Sequence, residues 1–481
     1  MVKSAIVASM KLSLTKDTIA FGGVDFLFRL VAFFTFPFFA AALGPGEFGL
    51  LALVITLPNL LALLFNWIYQ AVPRFYWERD RKRLLSTALA LQLMLSCGLL
   101  LFLPFDWIVG WRWIVGGQIA FQLYSFAALV HRLHFARWNY LLLVFIYQTL
   151  LIALTLYFGV VRGEGVFGYV VGMTLAAAVV APVALWSIAR HLCWGFSVED
   201  ARSLWRLGRP MLFSAIAFWL FSSIDRWMLE WICDLEQVGF YSVAHKFARM
   251  VNLAILAFGQ AWGPYAMKAR SEQLDYRTLF AKTFLRWSAA LTLIAAAVCL
   301  FGREALFLMV PASYWPAAPI IPILIAGVAL YGTTQVTASS LTVAGRTDLF
   351  AVGSAFAALL NIGLNLWWIP SLGPMGAACA TLISYGALCA AYLFWAQRHH
   401  PTPLQARPLS LFLVLLALSV ATALGLGHLP WQPWQIAVKG VCLALLATIA
   451  GRALSRDGST PTRQGQRALR GGADARRVET E

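Results

Sequence analysis

Six charged side chains interrupt stretches that are otherwise apolar: Asp25, Arg29, Asp225, Arg226, Lys246 and Arg249. A charge at the centre of a bilayer costs about 3 kcal/mol on insertion scales, so residues of this kind face a cavity or a partner. Their spacing sorts them. Asp25 and Arg29 stand at i and i+4 on one helical face, where they either neutralise each other or leave Asp25 to exchange a proton. Asp225 and Arg226 are adjacent and project about 100° apart on a helix, so they cannot share one neighbour and at least one is directed to an aqueous space. Lys246 and Arg249, at i and i+3, share a face with no acid between them. Snorkelling to headgroups and facing a cavity are the alternatives; the first weighs equally for Lys246 and less for Arg249, one turn deeper. Together Arg29, Arg226, Lys246 and Arg249 would give a cavity a positive field.

The elements that position these charges follow from composition. The chain has 481 residues, 60% hydrophobic and only 12% charged, with a mean hydropathy of +0.74. Soluble domains carry about 25% charged residues, and this chain cannot present a polar exterior, which excludes a soluble globular protein. It divides into about fourteen apolar segments, each near the length a helix needs to cross the hydrocarbon layer. The basic residues test that count. With the N-terminus cytoplasmic, 29 of the 37 Lys and Arg fall on eight inner segments, three on outer loops and five within spans. This is the asymmetry of a multi-pass cytoplasmic (inner) membrane protein with both termini cytoplasmic. Most of the net charge of +16 is therefore topology, and its dispersal excludes nucleic acid as a partner. The expected fold is all-α: a polytopic integral membrane protein of about 14 transmembrane helices.

The first twelve spans read as two copies of a six-span unit. Glu47-Phe48-Gly49-Leu50 after span one matches Gln237-Val238-Gly239-Phe240 after span seven, and Val72-Pro73 matches Gly263-Pro264. Gly165-Val166-Phe167-Gly168 before span six matches Gly373-Pro374-Met375-Gly376 before span twelve. Each copy has an even number of spans, so the copies lie parallel and enclose a pathway at their interface. The expected organisation is a cytoplasmic amphipathic N-terminus (1–17), an N-lobe (18–190), a cytoplasmic linker (191–208), a C-lobe (209–397), two appended spans (398–452) and a disordered basic tail (453–481).

Leu43-Gly44-Pro45-Gly46-Glu47-Phe48-Gly49-Leu50, Pro73-Arg74 with Glu78, Ser223-Ile224-Asp225-Arg226 followed by Val238-Gly239-Phe240-Tyr241, and Ile369-Pro370-Ser371-Leu372-Gly373-Pro374-Met375-Gly376 stand in an order and spacing that resembles the polysaccharide biosynthesis, or Wzx-type oligosaccharide flippase, family. The resemblance spans roughly residues 15 to 400. It implies the fold of the multidrug/oligosaccharidyl-lipid/polysaccharide (MOP) superfamily, with two six-helix lobes around a central cavity. It also implies a transporter that moves undecaprenyl-diphosphate-linked oligosaccharide across the membrane by alternating access, for surface polysaccharide such as lipopolysaccharide O-antigen. The implied partners are that lipid-linked oligosaccharide, membrane lipid, and a polysaccharide polymerase with its chain-length regulator. A cation on the first span is frequent in the family, which favours a functional Arg29.

Such a substrate fits the residues. A diphosphate leaves water only where ionic donors replace its hydration, and Arg supplies these bidentately. A sugar chain needs neutral partners, and Gln118, Gln122, Gln148, Asn252, Gln260, Gln335, Asn361 and Asn365 all lie in apolar spans as lumen groups or interhelical ties. Arg74 and Glu78, by the inner end of span two, are candidates for a cytoplasmic gate or form a plain surface pair. Pro37, Pro58, Pro182 and Pro322 are candidate hinges. The alternatives are a cation-coupled multidrug exporter, which would favour acidic lumen residues, and a membrane-embedded glycosyltransferase or polymerase. The latter needs acids or a sizeable loop at the outer face, whereas the longest outer connection, 302–317, holds one acid, Glu304. No catalytic residue, metal or cofactor is expected: the seven cysteines have no ligand spacing, and no nucleotide-binding loop is present.

Overall fold

The computed structural model describes residues 2–105, 108–271, 275–346, 348–404 and 406–457; side chains are described from Gly23 onward, except at 25, 214, 218, 264, 271, 406, 407, 453 and 455–457. The side chains of the expected amphipathic segment, that of Asp25, and residues 458–481 of the expected tail thus lie outside the described residues.

The described residues form thirteen long helices and no strand. They are α1 (Val2–Phe75), α2 (Arg81–Leu100), α3 (Trp111–Leu133), α4 (Arg137–Leu156), α5 (Gly165–Ile188), α6 (Val198–Ile232) and α7 (Leu235–Ser271). After these come α8 (Tyr276–Met309), α9 (Ile320–Val343), α10 (Asp348–Leu372), α11 (Pro374–His399), α12 (Ala406–Gly427) and α13 (Trp434–Asp457). A straight helix as long as α1 would measure about 111 Å, more than twice a bilayer. Gly44 interrupts it, with φ 68° and ψ 170°, a backbone conformation open to glycine and strained for other residues. The break divides α1 into two spans, whereas the candidate hinges Pro37 and Pro58 remain within helix.

Among the described residues, twelve helices are long and apolar enough to cross a membrane. The divided α1 counts among them once, and α7, whose His245, Lys246, Arg249, Asn252 and Gln260 dilute its apolarity, does not. With both included, the count reaches the expected fourteen. Spans of α1 to α5 form one lobe and α6 to α11 the other; α12 and α13 pack on the outside of α8.

The broadest apolar contact between the two lobes lies at one end. Near Gly44, Phe36, Phe39, Phe48 and Leu51 of α1 share a single apolar core with Val238, Tyr241 and Phe247 of α7 and with α8 and α9. At the opposite, Arg-rich end there are two separate cores, one around Ile68, Tyr76, Phe126 and Tyr140, which also takes in Leu204 at the start of α6, the other around Leu341, Leu349 and Tyr392. Apolar burial therefore clamps the Gly44 end and, beyond the first turns of α6, leaves the other end parted.

Two stretches are more helical than their sequence suggests. Ser197 caps α6 by accepting from the Asp200 amide at 3.2 Å, with Glu199 and Asp200 in the first turn, so 198–208, more than half of the expected linker, is helix. The 302–317 connection is also shorter than expected. Helix α8 runs to Met309 and a 3₁₀ turn occupies Ala312–Ala317. The reason is a polar dock for the appended helices. Arg303 donates to the carbonyls of Leu426 (3.0 Å) and Leu429 (3.2 Å), and Lys439 donates to Glu304 at 2.6 Å. Lys439 is 1% exposed, and the second Glu304 oxygen has no partner. Lys439→Met would strand a buried carboxylate, at a cost of about 3 to 5 kcal/mol. We expect a thermal unfolding midpoint lowered by several degrees in detergent, restored when Glu304 is replaced by Met in the same chain.

Candidate functional site

A cavity of about 1180 Å³ lies between the lobes. Both halves of α1 line it from one side, with α4 and α5 behind, and α6, α7 and α9 to α11 line it from the other. Arg29, Arg226, Lys246 and Arg249 all reach it, and no carboxylate is present among the described lining residues. Four expected site residues from three distant segments are thereby brought together. Arg29 and Arg249 are exposed to the cavity, Lys246 is half-buried, and Arg226 is buried.

Asp225 has a different place. It is buried, its carboxylate accepts from the Tyr241 hydroxyl on α7 and from the Arg226 amide at 2.9 Å, and it does not line the cavity. The Tyr241 oxygen also lies 3.3 Å from Thr381 Oγ1 on α11. Asp225 thus anchors one face of α6 to α7 and α11. Arg226, about 100° further round the helix, is turned into the cavity. The side chain of Asp25, the other expected acid, is outside the described residues.

Helical rise gives the depth of each group from the clamped end. Arg226 lies six residues before the end of α6, about 9 Å, while Arg29 and Arg249 lie about 22 Å from the ends of their helices. The clamped end above them is apolar, closed by Phe36, Phe39, Phe48 and Leu51.

What seals that end is a close backbone approach. A Cβ at Gly49 would lie 1.9 Å from the Leu235 carbonyl oxygen, and one at Gly239 would lie 2.1 Å from the Pro45 carbonyl oxygen. These are the two glycines that mark the internal repeat, and they clasp each other's turns reciprocally across the lobe interface. Gly168 and Gly376, the second repeat pair, occupy equivalent close approaches within each lobe, against Phe158 and Trp368. At these four glycines the repeat signal in the sequence coincides with backbone contact, whereas Gly263 has open space around it.

Of the eight in-span amides, Gln148, Asn252 and Gln335 line the cavity. Gln122 instead accepts from the Tyr69 hydroxyl at 2.6 Å and ties α3 to α1, and Asn365 donates to Asn361 at 3.0 Å within α10. Sequence reasoning misses Asn59, Asn66 and Gln70 on the second half of α1, as well as Ser242 and His245 on α7. A signal exists for the first group. Thr56, Asn59, Leu63, Asn66 and Gln70 recur at intervals of 3 and 4, one face of a helix, and all line the cavity.

Arg74 and Glu78 pair with each other at the end of α1, 61% and 54% exposed, so their contact closes within one element and not between lobes. Nearby, Arg79 bridges two elements. It pairs with Asp200 and donates to Ser203 at 2.9 Å, fastening the turn before α2 to the start of α6.

Two lobes, a clamped end and a cavity between them make up a fold that solved membrane proteins share. The lipid II flippase MurJ in an inward closed conformation superposes with a TM-score of 0.71 at 15% identity, over 91% of this chain and 99% of that one. An inward-facing multidrug resistance MATE transporter of the MOP superfamily gives 0.64 at 16%, over 78% and 97%. A MOP-superfamily transporter from Pyrococcus furiosus gives 0.56 at 17%, over 80% and 94%. At such identities the likeness establishes the fold. The family follows from the sequence: residues 14–269 match the polysaccharide biosynthesis protein family, and the chain belongs to it. No curated protein sequence matches the chain significantly.

Proposed function

We propose that this protein is a transporter, not an enzyme, and that it flips a polyprenyl-diphosphate-linked oligosaccharide from the cytoplasmic to the outer leaflet of the inner membrane for surface polysaccharide synthesis. One observation carries the reading: four cations and no carboxylate among the described residues of the lumen. Anionic cargo is favoured there and cationic drugs are repelled, which sets aside the multidrug alternative. Arg29, Arg226, Lys246 and Arg249 replace the hydration of the diphosphate, and Asp225 positions Arg226. The Arg-rich end is cytoplasmic by its charge, so the cavity faces the leaflet where the substrate is made. Rocking of the lobes opens the clamped end, and the polyprenyl tail stays in lipid throughout. Loss of the protein in its host is expected to abolish surface polysaccharide and to accumulate the lipid-linked precursor, shielded from glycan-modifying reagents added outside. Normal polysaccharide with no accumulated precursor would contradict the reading.

A further inference from the structure

The cavity has a second chemistry apart from its cations. On the second half of α1, Asn59, Asn66 and Gln70 share one helical face and all line the cavity. Asn59 is level with Arg29 and Arg249, and Gln70 lies eleven residues on, about 16 Å nearer the parted end. Asn59 uses its Nδ2 on the Ile55 carbonyl at 2.9 Å, which leaves its oxygen free to accept. Among the described residues, Asn66 and Gln70 have no side-chain partner although both are at least partly accessible.

Facing them is Trp219 of α6, seven residues and about 10 Å from Arg226 toward the parted end. Its indole N–H donates to the Thr56 carbonyl at 3.3 Å, which fixes the ring across the gap between α6 and α1. Between this level and the parted end the lining residues Leu63, Pro210, Met211 and Ala215 are uncharged. Planar amides that both donate and accept, beside a fixed aromatic ring, match a sugar, whose hydroxyls need paired donors and acceptors and whose C–H face packs on an aromatic surface.

We propose that Trp219, Asn59, Asn66 and Gln70 form a subsite for uncharged sugar rings, extending from the cation layer to the parted end of the cavity. This rests on the lipid-linked reading above and adds an orientation to it. The diphosphate sits deep against the cations, and the glycan trails toward the cytoplasmic mouth. Each net hydrogen bond contributes modestly, so several together select for the glycan without fixing one sugar.

The test uses two probes: the lipid-linked oligosaccharide extracted from the host, and the bare undecaprenyl diphosphate left when its glycan is removed by acid. Both are titrated against the purified full-length protein. Wild type is expected to bind the glycan-bearing lipid about tenfold more tightly than the bare lipid. Asn66→Leu with Gln70→Leu, and separately Trp219→Leu, should bring that ratio to about one while affinity for the bare lipid is unchanged, which also reports that the variants are folded. A ratio retained in both variants, a wild type that binds the two lipids equally, or variants that lose the bare lipid as well would overturn the subsite. If wild type binds neither lipid, the flippase reading itself fails.

Discussion

Arg226→Ala and Arg249→Ala are each expected to reduce export of surface polysaccharide by about 30-fold or more while the protein still inserts at wild-type level. A charge-assisted hydrogen bond contributes roughly 1.5 to 3 kcal/mol, and truncating one side of a desolvated pair costs about 2 to 5 kcal/mol, against 1.4 kcal/mol per factor of ten. Arg226 should be the more sensitive because it is 5% exposed whereas Arg249 is exposed to the cavity. Arg226→Lys keeps the charge and loses the fork, so it should retain an intermediate rate. Asp225 keeps its Tyr241 partner in both variants, so folding is spared. Quantitative immunoblotting of surface polysaccharide alongside membrane insertion checks the pair. Full export by both variants would remove the cations from the mechanism.

The second large effect concerns the clamped end. Gly49→Val or Gly239→Val should hold the outer end open, because any side chain there collides with backbone that cannot turn aside. The nearest oxygens would be 1.9 and 2.1 Å from the new Cβ. Overpacking of this kind costs roughly 1 to 3 kcal/mol, enough to shift a two-state equilibrium by about ten- to a hundredfold. Ser242 lines the cavity between these turns and Lys246 and Arg249, so Ser242→Cys in a chain stripped of its native cysteines reports access. A membrane-impermeant maleimide added outside should label it slowly in the otherwise unaltered chain and rapidly beside Gly239→Val, with export reduced in parallel. Equal protection in both would mean that the clasp does not control closure.

Much of this architecture is legible in the amino-acid sequence. The spans are readable because hydropathy and basic-residue alternation are local signals, and the family match over residues 14–269 agrees with the motifs from Leu43 to Tyr241. The four cavity cations stand out because a charge in an apolar span has few places to go. Other features depend on how the helices pack. That Asp225 turns to Tyr241 while Arg226 turns to the lumen depends on the rotation of α6, which adjacency cannot supply. Arg79 and Asp200 lie 121 residues apart and carry no shared local pattern. The repeat glycines are visible as a motif, but their reciprocal contact is not, since sequence similarity does not say which copies touch. Asn59, Asn66 and Gln70 escape notice for a simpler reason: each alone is an ordinary polar residue, and only their common helical face sets them apart.

Whether the cationic lumen carries a lipid-linked glycan across the bilayer is tested most directly in proteoliposomes. These are loaded with the host's lipid-linked oligosaccharide bearing a fluorophore on the glycan, and the fluorescence is quenched with a membrane-impermeant reductant. Wild-type protein is expected to make the inner-leaflet pool accessible to the reductant much faster than it becomes so in protein-free vesicles, and the Arg226→Ala, Arg249→Ala double variant is expected not to. Flipping no faster than in protein-free vesicles, or equal flipping by the double variant, would contradict a cationic carrier.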